Sequence, residues 1–243
     1  MNIVKLNAIN STNTFLKDLV KKSTTKNWTV VVTENQTSGK GQLKNKWSSK
    51  KGKNLTFSVL CKFNKLNIEN SFYLNCAISL AIYNVLKGFI PAKLSIKWPN
   101  DILSFQKKIC GILIENTVSN GKVLYAIIGI GLNVNQEKFP KNLPNATSLK
   151  IITNQNFNKN ELLKLLVEEI KTQVELIVNE QFVELKKSYE NVLYRINEPA
   201  MFKNNLNRIF LGKIKGITNQ GKLMVELENE TIETYDLKEI KFI

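Results

Sequence analysis

Residues 93–135 read KLSIKWPNDILSFQKKICGILIENTVSNGKVLYAIIGIGLNVN, and their texture decides the architecture. Short runs rich in β-branched residues predict strands at 93–97, 101–105, 109–117 and 123–129. Gln106-Lys107 and Asn120-Gly121 fall at the turns between them. Asn-Gly favours a two-residue hairpin, because both turn positions need a positive φ. Pro99 has no N–H to give a ladder, so it ends the first run and fixes a turn.

Upstream, Ser11-Thr12-Asn13 precedes TFLKDLVKK, where Phe15, Leu16, Leu19 and Val20 recur at helical spacing. Ser11 or Thr12 is the expected N-cap. Trp28 to Thr33 predicts a buried strand, and Leu55 to Leu60 another. Residues 35–53 between them are polar, with Gly39, Gly41, Gly52 and six lysines. Loops of that length in compact domains are functional or mobile. Residues 70–87 predict a helix with a mainly apolar face, stopped by Gly88 and Pro91.

Downstream, residues 136–158 are irregular around Pro140 and Pro144. Leu162, Leu163, Leu166, Ile170, Val174 and Ile177 predict a helix over 159–178, and 180–194 predict the next. After Pro199 the runs RIFLGKIKGI, KLMVELE and TIETYDL alternate between turn residues, predicting a small antiparallel β-barrel. The expected class is α+β: a mixed β-sheet flanked by helices over residues 1–196, then a barrel domain over 197–243.

The chain has 243 residues, enough for one sizeable domain and a small second one. No apolar run approaches the roughly 20 residues of a membrane helix, and no signal-peptide pattern opens the sequence. Cys61, Cys76 and Cys110 are odd in number and form no CxxC, which predicts a reducing, cytoplasmic setting. The net charge of +15 fits nucleic-acid binding in principle. No helix-turn-helix, finger or aromatic-basic repeat accompanies it, so a lysine-rich solvated surface is the simpler reading, with some lysines serving an anionic small molecule. There is no histidine. That excludes Ser-His-Asp and Cys-His catalysis and HExxH hydrolysis. Charge stabilisation by lysines, backbone amides and a metal remains.

Three segments can carry such chemistry. Glu34 to Trp47 reads ENQTSGKGQLKNKW, in which glycines let backbone amides approach an anion and Lys40, Lys44 and Lys46 add charge. Lys97-Trp98-Pro99-Asn100-Asp101 is followed by Lys108-Ile-Cys-Gly111. There Asp101 could hold magnesium or orient a lysine. Ile128 to Asn135 reads IGIGLNVN, with room for a flat ring beside Gly129 and Gly131 and an amide at Asn133 for a heterocycle edge. Taken singly, each also fits an ordinary turn, bulge or surface loop.

Taken together, with STN at 11–13, QxxGxG at 36–41, Trp47, KWPND at 97–101, KxxG at 108–111, GxGLNV at 129–134 and NATSL at 145–149, the sequence resembles the biotin protein ligase family. The resemblance is strong over residues 3–150 and weaker beyond. It implies a class II aminoacyl-tRNA-synthetase-like fold with a Src-homology-like C-terminal barrel. It implies ATP-dependent formation of biotinyl-adenylate, then transfer to a lysine of a biotin carboxyl carrier domain. Biotin contacts are implied for Ser11, Thr12, Asn13, Gln36, Gly39, Lys40, Gly41, Gln42, Trp47, Lys108 and Gly111. ATP or adenylate contacts are implied for Lys40, Gly41, Gln42, Lys97, Asn100, Asp101, Lys108, Gly131 and Asn133, the last against adenine. Lys108, Lys97, Asp101 and Lys40 are the implied catalytic set, with Asp101 at a magnesium ion. The nucleophile is the substrate's own ionised carboxylate, so no histidine base is needed.

Two departures stand out. The family loop commonly runs Gly-Arg-Gly-Arg, where this chain has Lys40 and Gln42. Lysine gives no bidentate fork and glutamine no charge, so a looser grip on the adenylate is expected unless Lys44 or Lys46 compensates. The ligase pattern also begins within ten residues of Met1, leaving no room for the winged helix-turn-helix of some members, so DNA binding is not expected. Neither is a membrane partner. Monomer and homodimer both fit. A lipoate or octanoate ligase shares the fold but predicts a different basic-glycine loop and no KWPND. A basic nucleic-acid module predicts steep salt-dependent DNA binding instead. An inactive ligase-like protein is disfavoured by the retained Lys108, Asp101 and Asn133.

Overall fold

The computed structural model describes residues 2–90 and 93–243, and of Lys44 only the backbone. The helix stop expected at Pro91 lies outside the described residues. The chain runs β1 (Asn2–Leu6), α1 (Thr12–Lys22), β2 (Thr29–Thr33), β3 (Leu55–Lys62), α2 (Phe72–Lys87), β4 (Leu94–Lys97), β5 (Asp101–Ser104), β6 (Lys107–Ser119) and β7 (Lys122–Leu132). Three helices follow, α3 (Leu149–Thr153), α4 (Lys159–Val178) and α5 (Phe182–Glu190). The chain closes with β8 (Pro199–Asn204), β9 (Ile209–Ile217), β10 (Leu223–Leu227), β11 (Ile232–Tyr235) and β12 (Ile240–Phe242).

Seven strands form one sheet in the order β1-β2-β3-β7-β6-β5-β4. β1 pairs with β2 in parallel and the other neighbours are antiparallel, so the sheet is mixed as expected. Asn120 (φ 48°) and Gly121 (φ 72°) turn β6 into β7 in the left-handed region that Asn-Gly tolerates. Ser11 caps α1 by accepting from the Thr14 N–H, and Lys21 and Lys22 sit in the last turn, favourable to the helix dipole.

Helices cover both faces of the sheet. α2 packs between the sheet, where it contacts β4, β5 and β6, and α4 and α5, and its Leu74, Ile78 and Ile82 belong to the same buried core as Phe57, Ile128 and Ile130. Each such side chain contributes about 1.5–3 kcal/mol by leaving water. On the other face α1 lays Leu16 over Val31, Leu60 and Ile127. The second sheet is antiparallel, in the order β11-β10-β9-β8-β12, and is the small C-terminal β unit expected after Pro199. Its inward residues Phe202, Ile214 and Val225 continue the main core through Tyr189.

The KWPND turn is where the two sheets meet. The Trp98 indole N–H donates to the Gly221 carbonyl at 2.9 Å, and the Tyr189 hydroxyl donates to the Pro99 carbonyl at 2.8 Å. The Trp98–Pro99 bond is cis. Gly221 (φ 86°) lies so close to Phe72 that any Cβ would enter the ring.

Some elements differ from expectation. β1 has no signature in its own residues: its burial pattern is mixed, and its order comes from pairing Asn2–Leu6 with Thr29–Thr33. The irregular stretch 136–158 contains α3, capped by Ser148. The helix expected to reach 194 ends at Glu190, after which Leu193 and Ile196 bridge to Ile96 and Ile214. Among the described residues no helix is long and apolar enough to cross a membrane.

Candidate active site

A cavity of about 390 Å³ opens between the seven-stranded sheet, the 39–47 segment and the C-terminal sheet. Its floor is polar and buried. Ser11, Thr12 and Asn13, at the start of α1, are each 2–3% exposed. The Thr12 backbone N–H donates to Gln36 Oε1 at 2.9 Å. Behind them Ser58 of β3, fully buried, reaches Asn13 Oδ1 at 2.5 Å and Thr12 Oγ1 at 2.7 Å. Gly129 is required by close approach, because a Cβ there would collide with the Asn13 amide.

The lysine- and glycine-rich loop is an ordered hairpin. Trp47 N–H donates to the Gly39 carbonyl at 2.9 Å and Gly41 N–H to the Asn45 carbonyl at 2.7 Å, and between them the chain reverses with Leu43 in the left-handed region (φ 53°). At its end the half-buried Trp47 indole lies in a slot between Gly111 and Gly131. A Cβ on Gly131 would fall within the indole ring. The Trp47 Nε1 atom is buried without a hydrogen-bond partner among the described residues. Lys40 Nζ donates to Thr14 Oγ1 at 3.0 Å.

The opposite wall is charged. Lys97 and Asp101 are partners across the β4–β5 turn, and the Lys108 ammonium meets Asp101 Oδ1 at 2.6 Å. Lys108 Nζ also sits 5.7 Å from the centre of the Trp47 ring. Lys97 Nζ lies 5.0 Å over the Phe242 ring of β12. Burial holds the Lys97 ammonium below the ordinary lysine range, Asp101 opposes that shift, and Lys108 adds to it. The NATSL segment brackets Lys108: its N–H donates to the Asn145 carbonyl at 2.7 Å and its carbonyl accepts from Thr147 at 2.9 Å. Burial raises the thiols of Cys61, Cys76 and Cys110, which are free and buried, so none supplies a ready thiolate.

The fold thus gathers Ser11, Thr12, Asn13, Gln36, Lys40, Gly41, Gln42, Trp47, Lys97, Asn100, Asp101, Lys108, Gly111 and Gly131 around one cavity. Gly39 stands behind it, against Gln36 and Trp47. Asn100 lines it but also works as a brace, donating to the Ile112 carbonyl. Asn133 does not line it. Its Nδ2 donates to the Thr147 carbonyl at 3.0 Å, and its backbone joins Ile109 and Leu149, so the residue rivets β7 to the NATSL segment. Ser58 and the C-terminal residues Lys241 and Phe242 do not stand out in the sequence. Ser58 leaves a weak signal, a small polar residue within the apolar run LTFSVLC. The C-terminal pair leaves none.

Residues 6–133 match the biotin/lipoate A/B protein ligase family, and the chain belongs to that family. It is 30% identical over 208 residues to the bifunctional ligase/repressor BirA of Bacillus subtilis, covering 84% of this chain and 63% of that protein. It is 25% identical over 207 residues to the biotin–[acetyl-CoA-carboxylase] ligase of Mycobacterium tuberculosis, covering 84% of this chain and 75% of that one. Its fold matches the biotin protein ligase of Aquifex aeolicus, solved in complex with biotin and ATP, with a TM-score of 0.81, 28% identity, and coverage of 100% and 98% of the two chains. The chain thus spans less than two thirds of the Bacillus subtilis relative's length.

Proposed function

We propose that this protein is an ATP-dependent biotin–protein ligase that transfers biotin to a lysine of a biotin carboxyl carrier domain. The observation that carries the reading is the pairing, in one cavity, of a buried hydrogen-bonding floor with a lysine-rich wall. A ureido ring has hydrogen-bonding edges for the floor, and its valeryl carboxylate would reach toward Lys108. A lipoyl dithiolane would offer nothing to the remaining Thr12 lone pairs or the Gln36 amino group, at about 1–3 kcal/mol for each polar group left unpaired. The names of the Bacillus, Mycobacterium and Aquifex relatives support the same reading.

In the first half-reaction the biotin carboxylate attacks the α-phosphorus of ATP. The bridging α–β P–O bond breaks, pyrophosphate leaves, and biotinyl-adenylate forms. Negative charge builds on an anionic centre, and each well-placed donor such as Lys108 or Lys97 is worth about 3 kcal/mol there. In the second, the neutral carrier amine attacks the acyl carbon, the amide forms, AMP leaves, and Asp101 orients the amine or accepts its proton. Lys40, Gly41 and Gln42 of the hairpin would cover the phosphate, and Trp47 excludes water from the mixed anhydride.

Asp101 is the one carboxylate among the described cavity residues, and no cluster of three metal-ligating side chains surrounds it there. That donor set fits magnesium, which takes one or two carboxylates and fills its shell with phosphate and water. When bound there it would neutralise phosphate charge. We read Asn133 as acting on any adenine through the segment it anchors, residues 197–243 as a separate unit closing the nucleotide end, and the three free thiols as fitting a cytoplasmic setting. Biotin-dependent ATP–pyrophosphate exchange and transfer of labelled biotin to a carrier domain test the proposal. Exchange with lipoate but not biotin would refute it.

A further inference from the structure

Glu115 lies on β6 outside the cavity lining, its side chain one-third exposed, with the Lys17 ammonium 4.0 Å away. It nevertheless touches the floor, because Asn13 Nδ2 donates to Glu115 Oε2 at 2.8 Å. A carboxylate can only accept. Asn13 must therefore turn its amino group to Glu115 and its carbonyl oxygen to Ser58. That oxygen cannot donate, so the single Ser58 hydroxyl proton is committed to it. At 2.7 Å Ser58 Oγ then meets Thr12 Oγ1 only as an acceptor, which draws the Thr12 proton inward. Thr12 Oγ1 also lies 3.2 Å from Gln36 Oε1, a second acceptor for the same proton; with that proton turned to Ser58 or to Gln36, Thr12 keeps lone pairs toward the cavity, while Gln36, its Oε1 held by the Thr12 N–H, keeps its amino group as a donor.

We propose that Glu115 is a positioning residue that sets the donor–acceptor polarity of the cavity floor through Asn13, Ser58 and Thr12. This rests on the ligase reading above and names what the floor selects: a cyclic urea, with N–H groups for the oriented hydroxyl and a carbonyl for the Gln36 amino group. Serine, threonine and asparagine can each face either way; the Leu113 carbonyl, 3.4 Å from Asn13 Nδ2, favours the same direction, and the charged Glu115 acceptor at 2.8 Å is the stronger of the two. Replacing the carboxylate with an amide leaves the longer Leu113 contact as the acceptor-only group holding Asn13. Asn13 can then turn over and Ser58 donate to Thr12, whose own proton is left to divide between Gln36 Oε1 and the ring's N–H.

The test is calorimetric titration of biotin into wild type, Glu115→Gln, Glu115→Asp, Ser58→Ala and the Glu115→Gln/Ser58→Ala double variant, with KM for ATP and Tm measured alongside. Glu115→Gln is expected to weaken biotin about tenfold, the scale of one mismatched hydrogen bond. KM for ATP and Tm are expected to stay near wild type, and Asp, still acceptor-only, to recover most of the affinity. Once Ser58 is gone the relay is cut, so Glu115→Gln is expected to add nothing to Ser58→Ala. Wild-type affinity in a folded Glu115→Gln, or additive losses in the double variant, overturns the proposal. If Glu115→Gln does not fold, wild-type affinity in Ser58→Ala overturns it equally. Absence of biotin binding by the wild type refutes the ligase reading and this inference with it, whereas binding by the wild type with an unchanged Glu115→Gln refutes this inference alone.

Discussion

Gly131→Ala should open the hairpin without unfolding the sheet. The added Cβ would fall inside the Trp47 indole, so the ring must leave its slot between Gly111 and Gly131. Tryptophan side chains bury about 150–250 Å² when fully enclosed. Trp47 is half-buried, and half that area at about 25 cal/mol/Å² amounts to about 2–3 kcal/mol of hairpin closure. Losing it shifts the open–closed balance by about 30- to 150-fold. Trypsin reports this directly, because Lys40, Lys46, Lys50, Lys51 and Lys53 lie in or beside the segment. The variant is expected to be nicked there far faster than wild type, to bind biotin more weakly and to keep its Tm within a few degrees. Trp47→Ala is expected to give the same phenotype, and adding Gly131→Ala to it should change little, since the collision is gone. Wild-type protection in Gly131→Ala, or losses that add in the double variant, would refute the reasoning.

Other consequences concern the charged wall and the loop. Because burial lowers the Lys97 pKa, this lysine gives up its proton at a lower pH than an exposed one. The alkaline limb of kcat/KM for ATP should therefore fall before the ordinary lysine range, and Lys97→Arg should carry it to higher pH; coincident profiles would count against the role. The sign for stability is opposite: the unfolded chain holds this proton more tightly, so the Lys97 contribution rises with pH through that window. Asp101→Asn should slow transfer from preformed adenylate to the carrier by about 100-fold or more, the scale of a lost general base. A full transfer rate in single-turnover assays would remove Asp101 from that step. Gln42→Arg should slow adenylate release, measured by filter retention, and an unchanged off-rate would show that the neutral side chain was no handicap.

Much of the site is legible in the sequence because its segments impose local constraints. Asn120-Gly121 has one comfortable turn, and Gly129 and Gly131 stand where a side chain cannot fit beside Asn13 and Trp47. Lysines and an aspartate at a strand end announce charge whatever the fold. What stays hidden depends on distant partners. Glu115 looks like any solvent-facing glutamate on a strand until Asn13, 102 residues away, is brought against it. Phe242 reads as the end of a C-terminal strand until Lys97 lies over its ring. Asn133 shows another limit: its Nδ2 is held by the Thr147 carbonyl, a contact invisible in the sequence, while its buried Oδ1 has no partner among the described residues. β1 escapes a sequence reading because a five-residue edge strand owes its order to a neighbour rather than to its own pattern.

The two bonds that fasten the KWPND turn come from outside its own sheet, one from Gly221 and one from Tyr189. With Leu74 and Val225 in one buried apolar cluster, this ties the C-terminal strands to the main sheet. Heat or denaturant should then find a single cooperative transition. Damage to the C-terminal sheet would be felt first as misaligned chemistry, because Lys97 and Asp101 flank the very turn it braces.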